Sequence, residues 1–198
     1  MRLDEVEAVP DAALPVAAFR DHLRLGTGFG TEGMQDGLLG GHLRAAMAAI
    51  EGRIGKVLIA RRFRLVLDAW RGAEAQALPV APVAALVEVA LVDAEGGRVV
   101  LPAGSFRLVS DAHRPKLAAR SGGLPAVPVA GAVEVVFEAG FGDWAAVPAD
   151  LRQAVMLLGA EFYEARIDDG ARRTGLPLMV QSLIERWRIV RVLGGGEA

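Results

Sequence analysis

The sequence predicts an α+β fold: a helical bundle made by the N- and C-terminal helices, with a small antiparallel β-sheet or sandwich lobe inserted between them. Three observations predict it. Apolar residues recur at three- and four-residue steps near both ends, the period switches to two across about 60–140, and Gly and Pro signals punctuate that middle stretch at short intervals. The resulting division is 1–58 (N-terminal helices of the bundle), 59–143 (inserted β lobe) and 144–198 (C-terminal helices of the bundle and tail). The two helical ends are expected to pack on each other, because each carries an apolar stripe too wide to leave in water.

The first helix spans 14–25. Pro15 suits a first helical turn, and Val16, Phe19 and Leu23 repeat at helical spacing. The Gly-rich run 26–33 interrupts any regular element. A second helix covers 34–54, with Leu39, Leu43, Ala46, Met47, Ile50 and Ile54 on one stripe. Gly40 and Gly41 inside it mark either a bend or a site where another backbone comes near. Strands are expected at 62–67, 84–92, 98–101, 105–109 and 132–139. Glu95-Gly-Gly-Arg98 is a hairpin turn between two of them, and Pro125 and Pro128 lie in a loop before the last. Helix returns at 148–167, with Leu151, Ala154, Val155, Leu158 and Phe162 on one face, and again at 177–187, with Val180, Leu183, Ile184 and Trp187.

Composition narrows the function classes. At 53% hydrophobic residues a sizeable core is available, and disorder is excluded. The mean hydropathy of +0.34 comes from Ala and Val rather than from continuous apolar runs, which points to large subunit contacts. No segment approaches the roughly 18–20 apolar residues that span a bilayer. The acidic start, Met1-Arg-Leu-Asp-Glu-Val-Glu, does not resemble a signal peptide, so the expected location is the cytoplasm of the producing cell. Zero cysteines exclude disulfides and thiolate metal sites. A net charge of -2 gives no global pull toward nucleic acid or membrane. Locally, Arg44, Arg53, Lys56, Arg61, Arg62, Arg64 and Arg71 outweigh Glu51 and Asp68.

Motifs with reactive chemistry are missing. Gly26-Thr-Gly-Phe-Gly30 lacks the Gly-Lys-Ser/Thr ending of a phosphate loop and comes after a helix, not a strand. His22, His42 and His113 share no ligand spacing, and no serine lies in a Gly-x-Ser-x-Gly elbow. Glu161 and Glu164 share a helix face without the histidine of a carboxylate-bridged metal site. The expectation is therefore no catalytic residue, no metal and no cofactor. Arg62 and Arg64 fall on one side of a strand, opposite Phe63 and Leu65, as on an ordinary half-exposed strand rather than a DNA-reading element.

One stretch is more specific. Val133-Glu-Val-Val-Phe-Glu-Ala-Gly-Phe-Gly-Asp143 runs into Val147-Pro-Ala-Asp-Leu-Arg-Gln-Ala-Val-Met-Leu-Leu158 and Glu161-Phe-Tyr-Glu-Ala-Arg166. This resembles the C-terminal signature of phage head–tail connector (adaptor) proteins, including those of gene transfer agents: a strand, Ala-Gly-Tyr-Gly-Asp, Val-Pro-x-x-Leu-Arg-Gln-Ala and a Tyr-Glu-x-Arg helix end. Phe141 stands where the family commonly has tyrosine. The segments 14–25, 45–58, 62–68 and 176–188 are similar to the family's opening helix, second helix, first strand and closing Leu-Pro-x-x-Val-x-x-Leu-Leu-x-x-Tyr-Arg. The longer Gly-rich 26–33 departs from the family's short acidic loop.

The resemblance implies a dodecameric ring under the portal at the capsid vertex, a platform for the stopper or tail-completion protein, and DNA passing through the channel as non-specific cargo. It also implies a final location in the neck of a virion or gene transfer agent particle. A closed ring needs two different patches on each subunit. Phe162, Tyr163, Glu164 and Arg166 are the candidate subunit-interface residues. The tail, in which Arg186, Arg188 and Arg191 alternate with Trp187, Ile189, Val190 and Val192 before Gly194-Gly-Gly196, is the candidate portal-binding segment. The competing readings are another neck component, which should be mostly sheet without two helices at each end, and a DNA-binding regulator using 40–71, whose binding would depend steeply on salt.

Overall fold

The computed structural model describes residues 1–25, 35–165 and 175–188; the expected Gly-rich interruption at 26–33 lies outside them. Among the described residues, four α-helices supply one apolar cluster: α1 (Val16–His22), α2 (Asp36–Ile54), α3 (Ala149–Ala165) and α4 (Leu178–Ile184). Helix α2 buries the stripe expected from its spacing: Leu39, Leu43, Ala46, Met47, Ile50 and Ile54. It packs against Leu151, Ala154, Val155 and Leu158 of α3, so Met47 and Leu158 share one core. Val180 and Ile184 of α4 complete it. The fold is α+β, with the two helical ends of the chain joined as one bundle.

Local chemistry sets the helix ends. Arg24 has a left-handed φ of 54°, which stops α1 before the expected Leu25. Gly55, with φ 66°, ends α2 by donating to the Glu51 carbonyl. Gly40 is buried, and a Cβ there would meet Leu14 Cδ1 at 3.5 Å, whereas Gly41 faces open space. Helix α2 continues unbroken through both. Beyond Ile184 the chain tightens into a 3-10 turn, Glu185–Trp187, rather than continuing as α-helix.

The second cluster lies between two antiparallel sheets. Strands β1 (Arg2–Glu5), β2 (Arg61–Leu67), β8 (Ala132–Ala139), β4 (Val83–Val92) and β5 (Arg98–Val100) form one, in that order. Strands β3 (Ala75–Ala77), β7 (Lys116–Ala119) and β6 (Phe106–Val109) form the other. Phe63, Leu65 and Leu67 of β2 lie opposite Phe137, Val135 and Val133 of β8 and are all buried, while Arg62 and Arg64 are exposed. The Phe63 and Phe137 rings stack at 5.9 Å. The β4–β5 turn is organised by Asp93, whose Oδ1 accepts the amides of Glu95 and Gly97, with Gly96 at φ 86°. Strands β1, β3 and β7 are additions to the sequence reading; each has only three or four residues.

The two clusters meet at a backbone joint. Phe141 N donates to Leu58 O (3.1 Å), Ala60 N to Gly142 O (2.7 Å), and Gly140 N to Pro82 O (2.9 Å). Val57 N donates to Ala81 O at 2.8 Å. The Gly-x-Gly-Asp turn of the sequence signature is thus the piece that binds the sheet lobe to the end of α2.

Candidate partner-binding site at the C-terminal turn

The signature turn brings three segments together. Gly140 adopts φ 132°, and a Cβ on it would lie 2.4 Å from Ala60 Cα, so only glycine fits. Asp143 caps the 3-10 turn Trp144–Ala146 by accepting the Ala146 amide at 3.0 Å. Two positions after Pro148, Asp150 stands in the first turn of α3, where the helix dipole favours a carboxylate. Its Oδ1 accepts the Leu151 amide at 3.0 Å.

Its other oxygen, Oδ2, receives the C-terminal segment. Trp187 Nε1 donates to it at 2.8 Å, and Arg186 Nε lies 2.7 Å away. The Trp187 ring meets Phe141 edge to face, with centroids 5.5 Å apart and an interplanar angle of 82°. The Arg186 guanidinium sits 4.8 Å over the same indole. Arg188 pairs with Glu185 at 2.9 Å.

Of the expected portal-binding residues, Trp187 is therefore half-buried and anchored within its own subunit, while Arg186 and Arg188 are exposed and ion-paired. Ile189, Val190, Arg191 and Val192 lie outside the described residues. Of the expected subunit-interface residues, Phe162 and Tyr163 pack partly against the helical cluster and Glu164 is exposed. Tyr163 meets His42 edge-on at 6.0 Å. Arg166 lies outside the described residues. Sequence reading did not single out Asp150, although its place after Val-Pro-Ala marks it as a helix-start carboxylate.

Charge is also concentrated near the joint. Arg61 makes a two-pronged bond to Glu51, Nη2 to Oε2 at 2.7 Å and Nη1 to Oε1 at 3.1 Å, and its Nε lies 2.8 Å from Glu5. Burial alone would lower the Arg61 pKa, but the bond to and charge of Glu51, with Glu5, outweigh it and raise it. Lys56 is almost fully buried, with its ammonium bonded to Ala112 O and 3.1 Å from His113 Nδ1. Burial lowers its pKa, partly opposed by Asp111. Amides of Arg114 and His113 hold Asp111 below the ordinary aspartate value. No group of carboxylates and histidines among the described residues could hold a metal ion, and no described helix is long and apolar enough to cross a membrane.

Solved structures match the chain along its length. A chain in the neck of an empty GTA particle, computed with C6 symmetry, is 55% identical, with 98% of this chain and 99% of that one covered and a TM-score of 0.89. The chain belongs to the head–tail connector family of gene transfer agent necks. A chain from the virion of a native gene transfer agent particle is 56% identical over 98% and 99% of the two chains, at TM-score 0.85. One from a native GTA neck computed with C12 symmetry is 52% identical over the same shares, at 0.84. No family profile and no curated protein matches. In connector terms, the signature turn is a structural joint, and it also seats the last described turn of the chain.

Proposed function

We propose that this connector is the head–tail adaptor of its particle: a ring on the portal at the capsid vertex that carries the stopper or tail-completion protein and encloses a channel for DNA. The observation that carries the reading is the 52% identity, over 98% of the chain, to a component of a GTA neck computed with C12 symmetry. Helices at both ends of the chain favour it over a mostly-sheet neck component. The role is one of assembly rather than catalysis, and the neck of the particle is the protein's final location.

In this reading 1–58, apart from β1 in the sheet, and 144–198 form the helical body and 59–143 the protruding lobe, which gives each subunit the two unlike patches that a head-to-tail ring needs. The edge formed by Phe162, Tyr163, Glu164 and Arg166 meets the neighbouring subunit. The segment Arg186, Trp187, Arg188, Ile189, Val190, Arg191 and Val192 meets the portal, with Trp187 as its root. Subunit contacts are individually weak and become effective when the portal presents many together, so the free protein is monomeric.

Light scattering and co-sedimentation with purified portal test this. Full-length protein should scatter as a monomer alone and sediment with the portal as a ring. Deleting 189–198 should leave thermal unfolding of the subunit nearly unchanged while abolishing co-sedimentation. A truncated protein that fails to fold would place the tail in the core and reject the docking assignment. Absence of any complex between full-length protein and portal would reject the adaptor reading.

A further inference from the structure

We infer that Asp150 is a positioning residue for the C-terminal docking segment: with Phe141 it clamps Trp187 and Arg186, and so fixes the point at which the chain leaves the subunit toward its partner. The inference rests on the portal-docking reading and adds to it a residue that lies outside the docking segment.

The geometry carries it. Burial of Val180 and Ile184 already seats α4 on the helical cluster. The clamp lies beyond that seat, at the last described turn, and draws on three separate segments: Phe141 from the signature turn, Asp150 from the start of α3, and Arg186 and Trp187 from the C-terminal turn. One carboxylate oxygen accepts the indole N–H and is ion-paired with the arginine Nε, and the Asp150 side chain is only 19% exposed. The part-buried indole bond to a carboxylate is charge-assisted and carries the clamp, while Arg186, whose side chain is 68% exposed, adds a weaker pair. The clamp also holds the indole in an edge-to-face contact with Phe141 and within reach of the guanidinium over its ring. The docking segment is therefore rooted at a fixed place beside the joint of the two lobes. A segment tethered at a fixed root loses less freedom on binding than one released from a frayed end, which raises its effective concentration at the partner.

The test uses full-length protein with Asp150→Asn and Asp150→Ala, and three readouts: thermal unfolding, amide hydrogen exchange over 178–188, and affinity for purified portal. Asp150→Asn keeps an acceptor for the indole and loses the charge; Asp150→Ala loses both. The expected result is a midpoint close to wild type, exchange over 178–188 faster by about tenfold in the alanine variant, and portal affinity weakened by a similar factor, with asparagine between. If Asp150→Ala does not fold, Asp150→Ser and Phe141→Leu replace it, since both positions touch Trp187 and lie outside the segment assigned to the portal. In the chain lacking 189–198, Asp150→Ala should still speed exchange over 178–188, which separates the clamp from the residues beyond it. Unchanged exchange, or faster exchange with unchanged portal affinity, would overturn the positioning role. Wild-type protein that does not bind portal rejects the docking reading and the clamp's part in it; loss confined to the variants separates the clamp from that failure.

Discussion

A methyl group on Gly140 would lie 2.4 Å from Ala60 Cα and 2.5 Å from Ala60 N, both backbone atoms that cannot swing aside. The residue also holds φ 132°, where side chains are strained. Gly140→Ala is therefore expected to destabilise the protein by at least about 3 kcal/mol, read from denaturant unfolding. Lys56 gives a second residue-scale expectation. Its pKa is lowered in the fold, so between that value and the ordinary lysine value the unfolded chain binds more protons and stability rises with pH. Lys56→Met should flatten this alkaline rise in a series of unfolding curves; an unchanged rise would assign it to other groups. Gly140 was legible as a turn residue in Ala-Gly-Phe-Gly-Asp. Lys56 was not, because nothing in the local sequence says that its ammonium reaches Ala112, 56 positions on.

Helices α2 and α3 depend on each other, since each buries its apolar stripe against the other in one cluster. Leu158→Ala should cost about 2–5 kcal/mol, because the side chain is 2% exposed and its removal leaves a cavity between the helices. Phe162→Ala, at the half-buried end of the same face, should cost less, and the comparison of the two midpoints checks where the core ends. These long elements were readable because ten or more residues repeat one period. Strands β2 and β8, with seven and eight residues, were readable from a period of two, which shows in Phe63, Leu65 and Leu67 against Val133, Val135 and Phe137. Strands β1, β3 and β7 escaped because, unlike the equally short β5 and β6 with their Val-Val and Phe-x-Leu-Val runs, they carry few β-branched or aromatic residues, and Ala75–Ala77 and Lys116–Ala119 draw on alanines that suit any element. The clamp escaped for a different reason: Asp150 and Trp187 stand 37 positions apart and belong to elements that sequence alone does not bring together.

The whole chain crosses between the two clusters after β1, after α2 and after β8, and the last two crossings are stitched by Phe141 N to Leu58 O and Ala60 N to Gly142 O. The largely buried Arg61–Glu51 pair ties β2 to α2 across the same joint. Neither cluster can open without breaking bonds that the other needs, so calorimetry should show one transition with matching calorimetric and van't Hoff enthalpies. Two resolved transitions would mean that the lobes unfold independently. This topology also bears on how the protein is made. β1 pairs Arg2 with Val66, β2 pairs Arg61 with Ala139, and Met47 waits for Leu158. A chain leaving the ribosome can therefore complete the helical core only once α3 has emerged, and until then the apolar stripe of α2 has no native partner there. Fragments ending before α3 should accumulate as insoluble protein, while the complete chain stays soluble under the same expression conditions.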